Sequence, residues 1–350
     1  MQVGLAGSGG CGKTTLFELL SQTEGSFLSP DQAHTAAVDV PDPRLAVLAG
    51  IFSPKKITPA KIFFTDTNRL VPGDRANNNK ALSHLRLLDA LAVVVDGFTP
   101  GRTGAEMRKD LDFCLSEMVL SDLEQVEGKL ERLRKSKSVG SVGGLPEEEL
   151  FSRFADALQS NQPLSSLPLP PQVQKALGSY SFLTAKPFFI VANLSEAFGT
   201  HGPPGLEEFE QGVRTQNRAV VRVYAKLEKD LQELSADERT LFTAEYALPL
   251  DGRATFIRQA YATAGLVSFL TAGEKEVRAW TVPRDCPAQE AAGVIHKDFM
   301  HHFIRAEVVT YEHLLEAGSF AEASRRGWLR AEKKEYPVQD GDVVTFLAGK

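Results

Sequence analysis

The chain has 350 residues, 43% apolar and 24% charged, which bounds it as a soluble globular protein of two or three domains. A net charge of −6 argues against holding nucleic acid by bulk electrostatics, though not against a local basic patch. Three widely spaced cysteines, Cys11, Cys114 and Cys286, exclude a dense disulfide framework and suit a reducing compartment. No apolar run approaches a membrane span, and the N-terminus lacks the basic n-region of a signal peptide, so the cytoplasm is the expected location.

Residues 2–6 form a short apolar run, 7–12 a Gly-rich loop, and 13–20 a helical stretch. Further strands are expected at 61–65, ending at Asp66, at 91–95, at 187–192, ending at Asn193, and at 220–224. Strands alternating with helices imply an α/β fold, a mostly parallel sheet with helices on both faces, and polar residues past the strand ends mark where such sheets bind ligands. The alternation breaks between 101 and 186. Val119, Leu123, Val126, Leu130 and Leu133 make a narrow helical seam, 138–144 reads as a turn, 147–158 is positioned to return antiparallel, and 162–171 is Pro-rich and extended. This pattern predicts an inserted helical hairpin. From about Val267 strand-like pieces recur at 277–282, 306–310 and 343–347, with a helix over 287–295 and a tight turn over 339–342, which predicts a small separate α+β module.

Gly7-Ser8-Gly9-Gly10-Cys11-Gly12-Lys13-Thr14 fits G-x-x-x-x-G-K-[ST] at every fixed position. Glycines let the backbone turn so that successive N–H groups face one anion, and the following helix adds its positive end. Lys13 is placed to reach the β and γ phosphates, the Thr14 hydroxyl to ligate Mg²⁺, and Thr15 to donate to the α phosphate. Asp66, ending an apolar strand, is the natural second Mg²⁺ partner, a Walker B acid. As a bland alternative it would cap a helix or turn.

The chain resembles the YchF / Obg-like ATPase family of translation-factor-class P-loop proteins over nearly its whole length. The residues that carry the resemblance are the phosphate loop, Val40-Pro41-Asp42-Pro43-Arg44-Leu45, Asn79-Lys80 through Asp89-Ala90, Lys186-Pro187 through Asn193-Leu194-Ser195-Glu196, Thr271-Ala272-Gly273-Glu274-Lys275-Glu276-Val277-Arg278-Ala279-Trp280-Thr281, Ala291-Ala292-Gly293-Val294-Ile295-His296 and the stretch from Tyr336 to Asp342. The resemblance implies a nucleotide-binding G domain (1–100 and 184–266), an inserted coiled-coil arm (101–183) and a C-terminal β-grasp module of the TGS type (267–350). It implies ATP rather than GTP, because Asn193-Leu194-Ser195-Glu196 lacks the Lys and Asp of N-K-x-D. Asn193 and either Leu194 or Glu196 would border the base. Ala225 and Lys226 look like the end of the last base-contacting loop, with Tyr224 where a Ser is usual. Ribosome or RNA partners through the arm and the TGS module are also implied.

Two departures from the family pattern bear on catalysis. The D-x-x-G motif appears as Asp66-Thr67-Asn68-Arg69, where the missing Gly normally brings an N–H close to the γ phosphate. Arg69 either points to solvent and weakens γ-phosphate sensing, which is the simpler reading, or places its guanidinium on the phosphates. Leu70 follows where related GTPases carry a water-orienting Gln. Gly10 replaces the Asn of potassium-stimulated relatives, and Ser29 and Thr35 are alternative sources of a Mg²⁺-sensing hydroxyl. The expectation is a slow, Mg²⁺-dependent ATPase acting as a conformational switch. The rivals are a nucleotide-loaded scaffold without turnover and a GTP-binding protein.

Other clusters carry less. Lys129, Arg132, Arg134, Lys135 and Lys137 either meet RNA phosphates or, better on sequence alone, complement a helix C-terminus. His296, His301 and His302 lack metal-site spacing. Cys11, Trp280 and Phe299 read as packed side chains.

Overall fold

The computed structural model describes residues 1–22, 33–136, 140–235, 238 and 251–349; Ser29 and Lys137 lie outside them. The chain divides into two compact units. One comprises Met1–Ala36 and Phe63–Ala260, the other Ala37–Ile62 and Tyr261–Lys350.

The first unit is organised by a six-stranded sheet in the order 34–39, 61–66, 2–6, 90–97, 188–194, 220–223. Strand Gln2–Ala6 lies between Lys61–Asp66 and Ala90–Gly97, parallel to both. Phe188–Leu194 and Val220–Val223 continue in parallel. Such strands are covered on both faces and therefore read as nearly continuous apolar runs, as Leu91 to Val95 do. Alternate residues serve opposite faces. Ile190 and Ala192 join an apolar core with Met107, Leu111, Leu206 and Phe209. Phe189 packs instead against Phe256 at 5.2 Å, which also meets Phe64 at 5.3 Å.

The predicted helical hairpin is present, and its first helix is longer than the seam suggested. Helix Gly104–Ser136 runs without a break through two cores. Up to Met118 it packs on the sheet, and from Val119 it packs with Val126, Leu130, Phe151, Phe154 and Phe182. Helix Glu147–Gln159 supplies the return face. The change of core thus falls inside one helix rather than at residue 101. Asp122 sits at that change, fully buried. It accepts from Arg86 Nη1 at 2.7 Å, Leu183 N at 3.0 Å, Thr184 N at 2.7 Å and Thr184 Oγ1 at 2.8 Å. The basic residues are engaged locally: Lys129 pairs with Glu147 at 2.8 Å, Arg134 with Glu148 at 3.3 Å and Lys135 with Glu131 at 2.6 Å.

The second unit carries a mixed six-stranded sheet in the order 330–332, 303–310, 342–348, 266–271, 277–283, 57–58. Its last strand, Ile57–Thr58, pairs parallel with Val277 and Arg278, so residues 37–62 fold with the C-terminal unit. The sequence pattern predicts an unbroken nucleotide-binding part from 1 to 100, and this segment departs from it. The same segment contributes helix Pro43–Phe52, started by Pro43 and capped by Asp42, whose side chain accepts from Arg44 N. Arg44 bridges Asp42 and Asp340, each at 2.8 Å. Trp280 is stacked on Phe269 and donates to Thr271 Oγ1 at 3.0 Å, a packing role. The tight turn 339–342 closes through Gly341 at φ 85°, with Asp342 Oδ2 accepting from Gln339 N at 2.9 Å. No helix among the described residues is long and apolar enough to cross a membrane.

Candidate functional site

The carboxyl ends of the parallel strands bring the motif residues together. Leu5 is in register with Asp66, and Asp96 with Asn193. The loop after Ala6 therefore opens at the edge where open α/β sheets hold ligands.

The loop follows the conformation its glycines permit. Gly10 and Gly12 take φ of 82° and 83°, the left-handed region closed to most side chains. Gly7 has no room for a side chain, because an ideal Cβ would lie 2.7 Å from both Cys11 Sγ and the Val94 carbonyl oxygen. Helix Lys13–Ser21 begins directly after Gly12, so the amides of Lys13, Thr14 and Thr15 belong to the first turn and have no carbonyl within the helix to bond. Lys13 is buried, and its Nζ donates to the Gly7 carbonyl at 3.0 Å. Cys11 is buried as well, and burial pushes its thiol up.

Thr14 Oγ1 donates to Asp66 Oδ2 at 3.0 Å. Asp66 Oδ1 is buried without a hydrogen-bond partner among the described residues. Burial raises the Asp66 carboxyl, opposed by the Lys13 charge, the Thr14 hydroxyl and His34. A hydroxyl and a carboxylate side by side, with one carboxylate oxygen unsatisfied, form an all-oxygen donor pair that fits Mg²⁺. Thr35 shares a 2.9 Å hydrogen bond with the Thr65 hydroxyl, and Thr67 donates to the Leu5 carbonyl at 2.9 Å, which stiffens the strand end that presents Asp66.

The segment after Asp66 is tied to the loop by backbone bonds. Leu70 N donates to Gly7 O and Gly9 N donates to Leu70 O, each at 3.1 Å. Arg69 is exposed, and an ideal Cβ on Gly9 would lie 3.3 Å from its Cδ. Leu70 is buried in the sheet's core.

Asn193 connects two loops. It is 4% exposed; Nδ2 donates to the Cys11 carbonyl at 3.1 Å, and Oδ1 accepts from Ala225 N at 3.3 Å. Ala225 is thereby brought to the site through its backbone. Leu194 points into the apolar core, whereas Glu196 is half-buried on the following loop and accepts from Ser195 Oγ at 3.4 Å. Tyr224 is buried, with its hydroxyl directed at the Gly199 carbonyl at 3.4 Å.

Sequence reasoning missed the layer that holds these loops. Glu228 is a buried carboxylate accepting from Tyr224 N at 3.2 Å and Arg253 N at 2.8 Å, and burial raises it. Arg253 donates to Leu19 O at 3.0 Å and Leu20 O at 2.9 Å, and Lys229 pairs with Glu18 at 2.6 Å. Phe98 was also missed; its ring edge would be 3.3 Å from a Cβ on Gly12. An acid in the first turn after Tyr224 was the one local signal; the other partners are far away in sequence.

Comparison with known proteins places the chain in a family. The profile of the family YchF-GTPase_C, described as a protein of unknown function (DUF933), matches residues 266–349. The chain is 35% identical to the Ribosome-binding ATPase YchF of Bacillus subtilis, covering 99% of this chain and 98% of that protein. It is 33% identical to that of Escherichia coli O157:H7, covering 98% of each. The solved Schizosaccharomyces pombe YchF GTPase shares the fold at a TM-score of 0.85 and 24% identity, covering 99% of this chain and 97% of that one. Full-length similarity at this level, joined to an intact phosphate loop and an Asn193 in place of a complete guanine motif, leaves one assignment: the chain belongs to the YchF family.

Proposed function

We propose that this protein is a Mg²⁺-dependent purine-nucleotide hydrolase, slow in turnover, that acts on ATP and uses the nucleotide as a conformational switch. The observation that carries the reading is the contact between Thr14 and Asp66 beside the buried Lys13, at the mouth of a loop whose glycines adopt the anion-cradling backbone. In it the first-turn amides and the Lys13 ammonium hold the polyphosphate and offset charge as it moves toward the leaving oxygen. Thr14 and Asp66 would hold the Mg²⁺, which supplies Lewis-acid neutralisation of the phosphates. ATP is favoured because the segment after Asn193 offers no Asp to the guanine N1 and N2 protons. The relatives named as ribosome-binding suggest a ribosomal or RNA partner, met by the helical hairpin and by a TGS-like C-terminal unit, in the cytoplasm.

Single-turnover hydrolysis of ATP by wild type and Lys13→Ala tests this. Phosphate release that disappears in the variant supports an enzyme, and tight nucleotide binding without release supports a scaffold. The scaffold reading draws on Leu70, an apolar buried side chain where a polar group would orient water. Competition between ATP and GTP decides the base.

A further inference from the structure

Where the family pattern has glycine, position 69 of this chain keeps the backbone N–H and adds a guanidinium beside the phosphate loop. Arg69 lies between two fixed points. The paired bonds between Leu70 and the phosphate loop hold its neighbour against Gly7 and Gly9, so its Cα stays at the loop while they persist. Its aliphatic stem passes over Gly9, where an added Cβ would lie 3.3 Å from Arg69 Cδ.

The open pocket beside this turn is lined by Ser8, Gly9, Arg69 and Leu70 together with Asp96, Arg102 and Asp110. It therefore contains two guanidinium groups with different commitments. Arg102 is engaged by Asp110 and by Asp96, the latter at 3.5 Å. Those two carboxylates are offset where they stand and do not draw on Arg69. Arg69 enters a hydrogen bond through its backbone carbonyl, which accepts from Asn77 Nδ2 at 3.0 Å, while its guanidinium has no carboxylate partner among the described residues. An exposed, unpaired guanidinium on a short tether at the loop is poised for an anion, and its fork matches two phosphate oxygens at once.

We propose that Arg69 is a catalytic residue of this protein, its guanidinium donating to γ-phosphate oxygens and stabilising the charge of the hydrolytic transition state from within the chain. The water oxygen forms a bond to the γ phosphorus as the bond from phosphorus to the β–γ bridging oxygen breaks. The electron pair of that bond remains with ADP, and the water protons leave with the phosphate and solvent. Arg69 neither gains nor loses a proton; it binds charge that grows as the bond breaks.

The proposal rests on the hydrolase reading, and the test separates the two. Affinities for Mg·ADP and for Mg·ADP with aluminium fluoride are measured by calorimetry, beside single-turnover hydrolysis, for wild type, Arg69→Ala, Arg69→Gly and Arg69→Lys. The expected result is ADP affinity within about twofold in all four, which also verifies folding. Arg69→Ala and Arg69→Gly lose the extra affinity conferred by fluoroaluminate and hydrolyse about 10²–10³-fold more slowly, and Arg69→Lys recovers part of both. Arg69→Gly hydrolysing at or above the wild-type rate overturns the proposal, because the side chain then hinders. Wild type that binds ADP without any tightening by fluoroaluminate overturns it too, while leaving nucleotide binding intact. Wild type that binds no purine nucleotide overturns the hydrolase reading itself.

Discussion

Replacing Gly12 by alanine strikes the point where the phosphate loop touches the base-side loop. Two costs can be worked from the structure. The residue sits at φ 83°, which for alanine costs about 1–2 kcal/mol. The added Cβ would lie 2.2 Å from Asn193 Nδ2, so one of the two must move. Asn193 is held at 3.1 Å to the Cys11 carbonyl and at 3.3 Å to Ala225 N, and displacing it sacrifices buried hydrogen bonds worth about 1 kcal/mol each. The sum, about 3–4 kcal/mol, is expected as lower stability of the free protein or as roughly 150- to 1,000-fold weaker ADP binding, depending on which state yields. Asn193→Ala alone is expected to cost about 2 kcal/mol through the bonds it abandons. The informative experiment is the double-mutant cycle, read by urea unfolding and by ADP calorimetry. In the double variant the clash is gone and the same bonds cannot be lost twice, so its total should fall short of the two single costs by about 1 kcal/mol or more. Strict additivity would refute the argument that Asn193 is what Gly12 accommodates.

Three further outcomes follow from particular contacts. Thr14→Ala should weaken ATP binding in the presence of Mg²⁺ while leaving affinity in EDTA nearly unchanged, because the hydroxyl is assigned to the metal rather than to the phosphates; equal losses in both buffers would reassign it. Asp122→Ala should destabilise the protein by about 3–5 kcal/mol in urea unfolding, since it leaves Arg86 short of its counterion and the amides of Leu183 and Thr184 without an acceptor in a buried site; a loss under 1 kcal/mol would show that the site relaxes. Burial holds the Cys114 thiol at a pKa of about 12, above its ordinary value, so its reactive thiolate is scarce at pH 8 and grows only as pH rises toward that value. Iodoacetamide at pH 8 should leave Cys114 unlabelled in the folded protein and label it in urea, as peptide mass spectrometry would show.

The phosphate loop, Asp66 and Asn193 were legible because each is a local pattern at a strand end, and local patterns survive in one dimension. The helical hairpin was legible from its seam. What the seam could not tell was that Gly104–Ser136 changes cores at Met118, because a helix shows the same periodicity against any apolar partner. Strand His34–Asp39 was missed for lack of a strong apolar run, in keeping with its place at the edge of the sheet. Leu266–Thr271 was missed although it is apolar, its continuous run lacking the alternation that separates strand from buried helix. The allegiance of residues 37–62 rests on pairing with Val277 and Arg278, more than two hundred residues away, and no window of sequence contains both. Glu228 and Arg253 escaped for the same reason, since their worth lies in the distant backbone they tie.

That discontinuous second unit limits what truncation can reveal. The profile match begins at residue 266, which invites removal of everything after Ala260 to obtain a minimal nucleotide-binding protein. Such a protein would keep Ile57–Thr58 without the strand that completes its pairing, and Arg44 without Asp340. The orphaned stretch runs directly into Lys61–Asp66, so the damage would arrive one strand's length from the carboxylate assigned to the metal. Loss of ATP binding on deletion would then report a frayed edge upstream of Asp66 as readily as a missing partner domain, and point substitutions are the cleaner instrument.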